Sequence, residues 1–217
     1  MSQTPPTDRA RVRRLPERGA YDQKTIYSIL DEGLICHVGV VVDGRPVVIP
    51  MAYARVGDKL VIHGFGGSRL MKALKNGADV CVEVTHIDAL VLARSAFHHS
   101  MNYRSVIVFG QATTIEGNDA KNAAFREFFE HLMPGRWNDV RKPNAKELAQ
   151  TAVIELSLAE ASAKIRKGPP DDDNEDYGLP IWAGLLPLTL EAGQPEDDPR
   201  LGEGIGRPDY LSAPRRK

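Results

Sequence analysis

The stretch Gly64-Phe65-Gly66-Gly67-Ser68-Arg69-Leu70-Met71-Lys72 brings together several groups that bind anions. Glycines let a backbone come close to a ligand. A helix opening at Ser68 would leave unpaired N–H groups at its positive end. Ser68 can donate its hydroxyl, and Arg69 offers a planar fork that matches phosphate oxygens. Lys72 lies four residues after Ser68 and three after Arg69, on the same helical face. The chemistry this pattern suits is phosphate binding. The plainer alternative makes Ser68 a helix cap and leaves Arg69 and Lys72 in solvent.

The spacing also says which phosphate. The P-loop pattern G-x-x-x-x-G-K-[ST] is absent. The dinucleotide pattern G-x-G-x-x-G nearly appears, but Arg69 stands where the third glycine belongs, although Glu83 is placed like a ribose partner. An arginine there favours a terminal phosphate monoester over a bridging pyrophosphate, because it brings a full charge to a dianion. The expected ligand is a mononucleotide or a phosphorylated cofactor.

Other chemistry-bearing residues carry less. His98-His99 sit in a polar loop near Phe97 and Met101, and two histidines do not complete a zinc site. His63 either hydrogen-bonds a ligand or fills a strand position. His37 reads as a core residue. Cys36 and Cys81 lie in apolar runs with no C-x-x-C spacing, so they read as buried thiols in a reducing compartment. The acidic run from Asp171 to Asp176 reads as a solvated loop. No metal ligands are assigned, no G-x-S-x-G elbow occurs, and no catalytic acid or base can be named.

These residues need a frame. Asp22 caps a short helix whose Ile26, Ile29 and Leu30 share a face, with Gly33 as its stop. A β-meander follows: Leu34 to Val42, an Asp43-Gly44 turn of type I′, Arg45 to Ala54, a Gly57-Asp58 turn, and Lys59 to Phe65. Links this short require antiparallel neighbours, which removes the parallel sheet that a dinucleotide fold needs. Ser68 to Asn76 is a helix. Asp79 to Ala93 is a long strand bent near Asp88, and Tyr103 to Ile115 is another, with a bulge expected at Gly110. Helices follow from Asn118 and Asn144. A last strand starts at Thr151, with Ala161 to Arg166 as its extension. The expected fold is mainly β with flanking helices, an antiparallel six-stranded split β-barrel. Residues 1–20 read as a flexible arm carrying Arg9, Arg11, Arg13 and Arg14, 21–192 as the folded domain, and 193–217 as an extended tail.

Composition bounds the rest. The chain has 217 residues and a formal net charge of -1. That balance gives no reason to expect nucleic acid or an anionic membrane as partner. The N-terminus is polar and Arg-rich, unlike a signal peptide, and no run of about 18 apolar residues exists to span a membrane. A cytoplasmic location is expected.

Taken in order, Val47-Val48-Ile49-Pro50-Met51-Ala52-Tyr53, Leu60-Val61-Ile62-His63-Gly64, Ser68-Arg69 and Tyr103-Arg104-Ser105-Val106-Ile107-Val108-Phe109-Gly110 resemble the FMN-binding split-barrel family. That family includes the pyridoxamine 5′-phosphate oxidases, and the likeness is nearest to its oxidase and nitroimidazole-resistance-type branch. It runs from about residue 14 to residue 190. The resemblance implies a homodimer with FMN at the subunit interface, acting on a small-molecule substrate. It implies that Val48, Ile49, Pro50 and Met51 line the flavin ring with their backbone, and that His63 and Gly64 face it. Ser68, Arg69 and Lys72 would hold the phosphate. Tyr103, Arg104 and Ser105 would approach from the partner subunit, and Trp182 would close the site. The vitamin-B6 oxidases carry an Arg-rich C-terminal segment where this chain has the apolar Leu179 to Pro187, so that particular activity is not expected. The implied function is an FMN-dependent oxidoreductase. The alternative is a non-catalytic flavin- or haem-binding protein for storage or sensing, since some split-barrel proteins bind haem.

Overall fold

The computed structural model describes residues 4–212. In chain order the elements are β1 (Gly19–Ala20), α1 (Gln23–Glu32), β2 (Ile35–Val42), β3 (Arg45–Val56), β4 (Lys59–Phe65), α2 (Arg69–Lys75), β5 (Asp79–Leu92), β6 (Ser100–Gln111), β7 (Thr113–Thr114), α3 (Asn118–Leu132), α4 (Arg136–Asp139), α5 (Ala145–Gln150), β8 (Thr151–Ser157), β9 (Ala161–Arg166) and β10 (Gly184–Pro187).

Local chemistry sets the boundaries. The Asp22 side chain accepts the Thr25 amide and starts α1, and Ser68 does the same for Met71 and α2. Asn144 and Glu147 form a reciprocal capping box on α5. The turn between β2 and β3 puts both Asp43 and Gly44 at positive φ, 52° and 71°, as a type I′ hairpin requires.

Every strand pair is antiparallel, in the order β1-β9-β6-β5-β2-β3-β4-β8-β7, with β10 added on β5. Among the described residues no ladder joins the two ends, so the barrel stays split, as expected, and ten strands stand where six were expected. The added ones are short, apart from β9. Ala161 to Arg166 does not extend β8, because a 3₁₀ turn at Leu158–Glu160 redirects the chain. β8 then pairs with β4, and β9 with β6.

The expected bulge is also relocated. Gly110 pairs in register with Val80, while the β5/β6 ladder slips between Ile87 and Ala89, around Asp88. Beyond that slip β10 takes the edge of β5 that β2 has left, pairing Leu92 to Ala89 with Gly184 to Pro187.

Alternate residues of the long strands fill the barrel, among them Val38, Ile62, Val82, Val106 and Ile154. α1 and α2 cap it with Ile29, Leu30, Met71 and Leu74. The remaining cavity is about 10 Å³, too small for any organic ligand. A second cluster packs α3, α4 and α5 on the back of β4 and β8 through Phe125, Trp137, Leu148, Val61 and Val153.

Residues 4–20 lie along the sheet. Ala10 is buried, the Val12 amide donates to the Tyr21 hydroxyl at 2.9 Å, and β1 pairs with β9. Apolar and ladder contacts, invisible in a polar sequence, hold this segment that read as a free arm. Beyond residue 193, Tyr210 accepts a hydrogen bond from Arg136 at 2.9 Å. Residues 1–3 and 213–217 of the two expected tails lie outside the described residues. No described helix is long and apolar enough to cross a membrane.

Candidate functional site

The site is built by a divergence of two strands. β3 and β4 pair only from Val56↔Lys59 to Tyr53↔Ile62. Past that point β4 keeps only its pairing with β8, with His63, Gly64 and Phe65 opposite Val153, Ala152 and Thr151. β3 stays with β2 from Ala52 to Arg45. The stretch Arg45–Ala52 therefore carries a strand on one side only. Its open edge presents Val48, 63 % exposed, Ile49, Pro50 and the half-buried Met51. Proline is tolerated here because an edge position needs no N–H donor on its open side.

The other lip is the turn into α2. The Gly66 amide donates to the Gln150 carbonyl and the Ser68 amide to the Phe65 carbonyl, both at 2.9 Å. None of Gly64, Gly66 and Gly67 has a positive φ. Their value is close approach: a Cβ on Gly64 would lie 2.8 Å from the Met71 methyl, and one on Gly67 2.6 Å from the Phe65 ring. Met51 reaches across the split, its methyl 3.6 Å from the same Gly64 position. The Ser68 hydroxyl oxygen accepts the Met71 amide at 3.2 Å and so caps α2. Arg69 and Lys72 are exposed, and neither has an ion-pair or hydrogen-bond partner among the described residues. Two cations of one face are thus left uncompensated at the mouth of the split.

His63 forms the inner wall. Its ring meets Phe128 edge-on at 4.5 Å and Phe125 at 5.0 Å. Burial lowers its pKa, so the imidazole is neutral at neutral pH. His37, read as a core residue, is half exposed on the outer face of β2, with Nδ1 3.3 Å from a Glu83 carboxylate oxygen. Alternation along β2 explains this: Cys36 and Val38 point in, and His37 points out. Cys36 is buried, and burial pushes its thiol up to about 12, which leaves it inert as a nucleophile.

The remaining predicted residues are placed elsewhere within one chain. Arg104 binds Asp88 at 2.8 and 3.0 Å and Glu32 at 2.9 Å, and these two carboxylates push its pKa up. Tyr103 pairs with Ile87 and Arg166, and the Ser105 hydroxyl donates to the Lys164 carbonyl at 3.4 Å. Trp182 lies 69 % exposed, its ring packed over Gly184. One chain therefore groups Val48 to Met51 with His63 to Lys72. It leaves Tyr103, Arg104, Ser105 and Trp182 on other faces.

The acidic run holds one surprise. Asp172 has a fully buried side chain that accepts the Arg94 amide at 2.9 Å, the Ser95 amide at 3.3 Å and the Arg94 guanidinium at 3.1 Å. Burial raises its pKa, but these donors together outweigh that and leave it low. His98 Nε2 stands 3.3 Å from Asp173, and His99 Nδ1 2.9 Å from the Ser95 carbonyl, so both histidines brace this loop. Nothing in a D-D-D run marks which aspartate turns inward. Among the described residues no three His, Cys, Asp or Glu side chains converge to hold a metal.

An open antiparallel barrel with a cationic turn beside an unpaired strand edge defines a class of ligand-binding split barrels. The family model described as Pyridoxamine 5′-phosphate oxidase matches residues 22–165, and the chain belongs to that family. Among solved structures it is similar to the flavocytochrome Anf3 from Azotobacter vinelandii, with 42 % identity, 96 % of this chain and 97 % of that one covered, and a TM-score of 0.91. It is also similar to an FAD and haem binding protein from Mycobacterium smegmatis, with 36 % identity, 90 % and 96 % covered, and a TM-score of 0.86. A candidate 5-nitroimidazole antibiotic resistance protein from Bacteroides thetaiotaomicron shares the fold at 21 % identity and a TM-score of 0.58, over 68 % of this chain and 86 % of that one. No curated protein matches the chain.

Proposed function

We propose that this chain is a flavin- and haem-binding oxidoreductase acting on a small molecule, with the flavin seated in the β3/β4 split. The observation that carries the reading is the pair Arg69 and Lys72, exposed and uncompensated beside an open strand edge. A phosphate fits the pair, and a flat ring fits along the edge from Val48 to Met51, where backbone groups are free to hydrogen-bond it. The barrel interior is filled, so the ring must seat outside it, and the open edge of β3 lies next to the phosphate seat. The flavin expected from the sequence is FMN. The likeness to an FAD and haem binding protein favours FAD with the same phosphate seat.

Haem needs an axial nitrogen, and two histidines fit. His37 has one ring nitrogen beside Glu83, the arrangement that orients a metal-bound imidazole, with the apolar Ile35, Val41 and Val48 exposed on β2 and β3 nearby. His63 is neutral and walled by aromatic rings. When bound, a flavin exchanges a hydride or single electrons and a haem exchanges single electrons. The protein's part is to hold the flavin phosphate, align its ring along β3 and screen it from water.

Tyr103, Arg104, Ser105 and Trp182 can join this site only from a second copy. Homodimerisation through the outer sheet face is part of the proposal, supported by exposed Ile35, Val41, Val48 and Ile87 there. The test is the visible spectrum of the purified protein, extraction and chromatography of its flavin, and sedimentation to give its mass. A protein that copurifies with no flavin and takes up neither FMN nor FAD refutes the reading. Anaerobic reduction by NADH or NADPH, then reoxidation by candidate acceptors, separates an enzyme from a storage or sensing protein.

A further inference from the structure

A second group of cations lies where residues 9–14 cross the outer face of β6 and β9. The cleft between them holds about 220 Å³, against about 10 Å³ in the barrel. Arg9, Arg11, Arg13, Arg14 and Lys164 line it. Arg9 is bonded to Glu160 and stands 3.7 Å from Asp79. Arg11 and Arg13 share Asp8, at 3.4 and 2.6 Å. Five cations thus face three carboxylates, in a chain whose formal net charge is -1. Arg14 and the half-buried Lys164 have no carboxylate partner among the described residues. Both cations are therefore open to an anion without an existing ion pair having to break.

The floor is of a different character. Ile107 and Phe109 give it an apolar surface, and Ser105 and Ser162 add hydroxyls. The covering segment is fastened on both sides, by buried Ala10 and by the pairing of β1 with β9. The cleft is thus preformed. A cationic rim over an apolar, hydroxyl-edged floor suits a ligand with a flat ring and a phosphate.

We propose that this cleft binds a nucleoside phosphate, with the phosphate on Arg14 and Lys164 and the ring against Ile107 and Phe109. The cleft is separate from the Ser68–Lys72 seat, so the proposal holds whichever flavin occupies that seat. Two sources share this chemistry: a free pyridine dinucleotide that donates electrons, and the adenosine-phosphate end of FAD. Ser105 belongs both to this floor and to the residues that would face a partner subunit's flavin, which makes the second source geometrically reasonable.

The experiment uses the full-length protein with its copurified cofactors, and the variant Arg14→Gln/Lys164→Gln. Neither residue holds another in place, so a melting curve like that of the parent confirms the fold. Calorimetric titration with ADP, adenosine and NADPH is expected to show the phosphorylated ligands binding at least about tenfold more tightly than adenosine, with the variant losing about tenfold or more. Loss of NADPH affinity with FAD affinity retained assigns the cleft to the donor. Loss of FAD affinity with FMN affinity retained, read on parent and variant after their flavin is removed, assigns it to the cofactor's adenosine end. A folded variant that changes neither ADP, NADPH nor FAD affinity overturns the proposal, as does equal binding of adenosine and ADP.

Discussion

Replacing Arg69 and Lys72 together by glutamine separates the ligand seat from the fold. Both side chains are exposed and make no ion pair or hydrogen bond among the described residues. Surface changes of this kind stay within about 0.5 kcal/mol, which for a chain of this size moves Tm by at most about 2 °C. A hydrogen bond to a charged group contributes about 1.5–3 kcal/mol. One contact per side chain then corresponds to about 10- to 150-fold in affinity for each. Neighbouring sites do not add fully, so the double variant should weaken flavin by at least about tenfold. The assay is titration of deflavinated protein with FMN and FAD, followed by quenching of flavin fluorescence, beside a melt of the apoprotein. Riboflavin, which lacks the phosphate, should bind parent and variant alike. Ser68→Ala gives the contrast, because its hydroxyl caps α2. Its loss should cost about 1 kcal/mol of stability and lower the apoprotein Tm by about 2–4 °C. A folded double variant that binds FMN and FAD within twofold of the parent would refute the assignment of the phosphate seat.

Three further outcomes follow from the packing. Tyr53 is fully buried and donates its hydroxyl to the Leu30 carbonyl at 2.6 Å, at the end of α1 where no helical amide reaches that oxygen. Tyr53→Phe should therefore destabilise by about 1–3 kcal/mol in urea unfolding, and an unchanged midpoint would contradict the role of that bond. For His63, burial lowers the folded pKa, so the unfolded chain takes up the proton first. Stability should be complete above pH 6.5 and fall as pH drops below it, by up to about 1.4 kcal/mol per pH unit, and His63→Gln should remove that slope. Glu147 is pushed down to about 2 by the Arg141 guanidinium and then by the Asn144 amide. Its contribution is present above the usual carboxylate value near 4.5 and is lost as pH falls through about 2. Glu147→Gln should remove that acid-side loss, read as the difference between the two proteins' urea midpoints from pH 5 downward.

Much of the frame was legible because it is written in local chemistry. The caps at Asp22, Ser68 and Asn144 and the Asp43-Gly44 hairpin each depend on a few adjacent residues, and each appears where its residues are. The relocated features depend on distant partners. Gly110 is free to form a bulge, but its ladder with Val80 is continuous, and the slip occurs where Asp88 meets Arg104 and the β10 strand. Ala161 to Arg166 has the pattern of a continued strand, yet an intervening 3₁₀ turn sends it to β6.

The sequence by itself determined that the strands are antiparallel, that a turn at Gly66 to Arg69 opens a helix, and that Arg69 and Lys72 share a face of that helix. Tight turns permit no parallel crossover, and the residue types are fixed whatever the fold. Only the tertiary structure decided that β3 and β4 part at Tyr53 and Ile62, which sets this turn beside an open strand edge. Only it showed that residues 9–14, which read as a solvated arm, roof a second cationic cleft. The physical reason is the same in both cases. A charged side chain gains function from what does not neutralise it, and its neighbours in space are chosen by sheet register rather than by its neighbours in the chain.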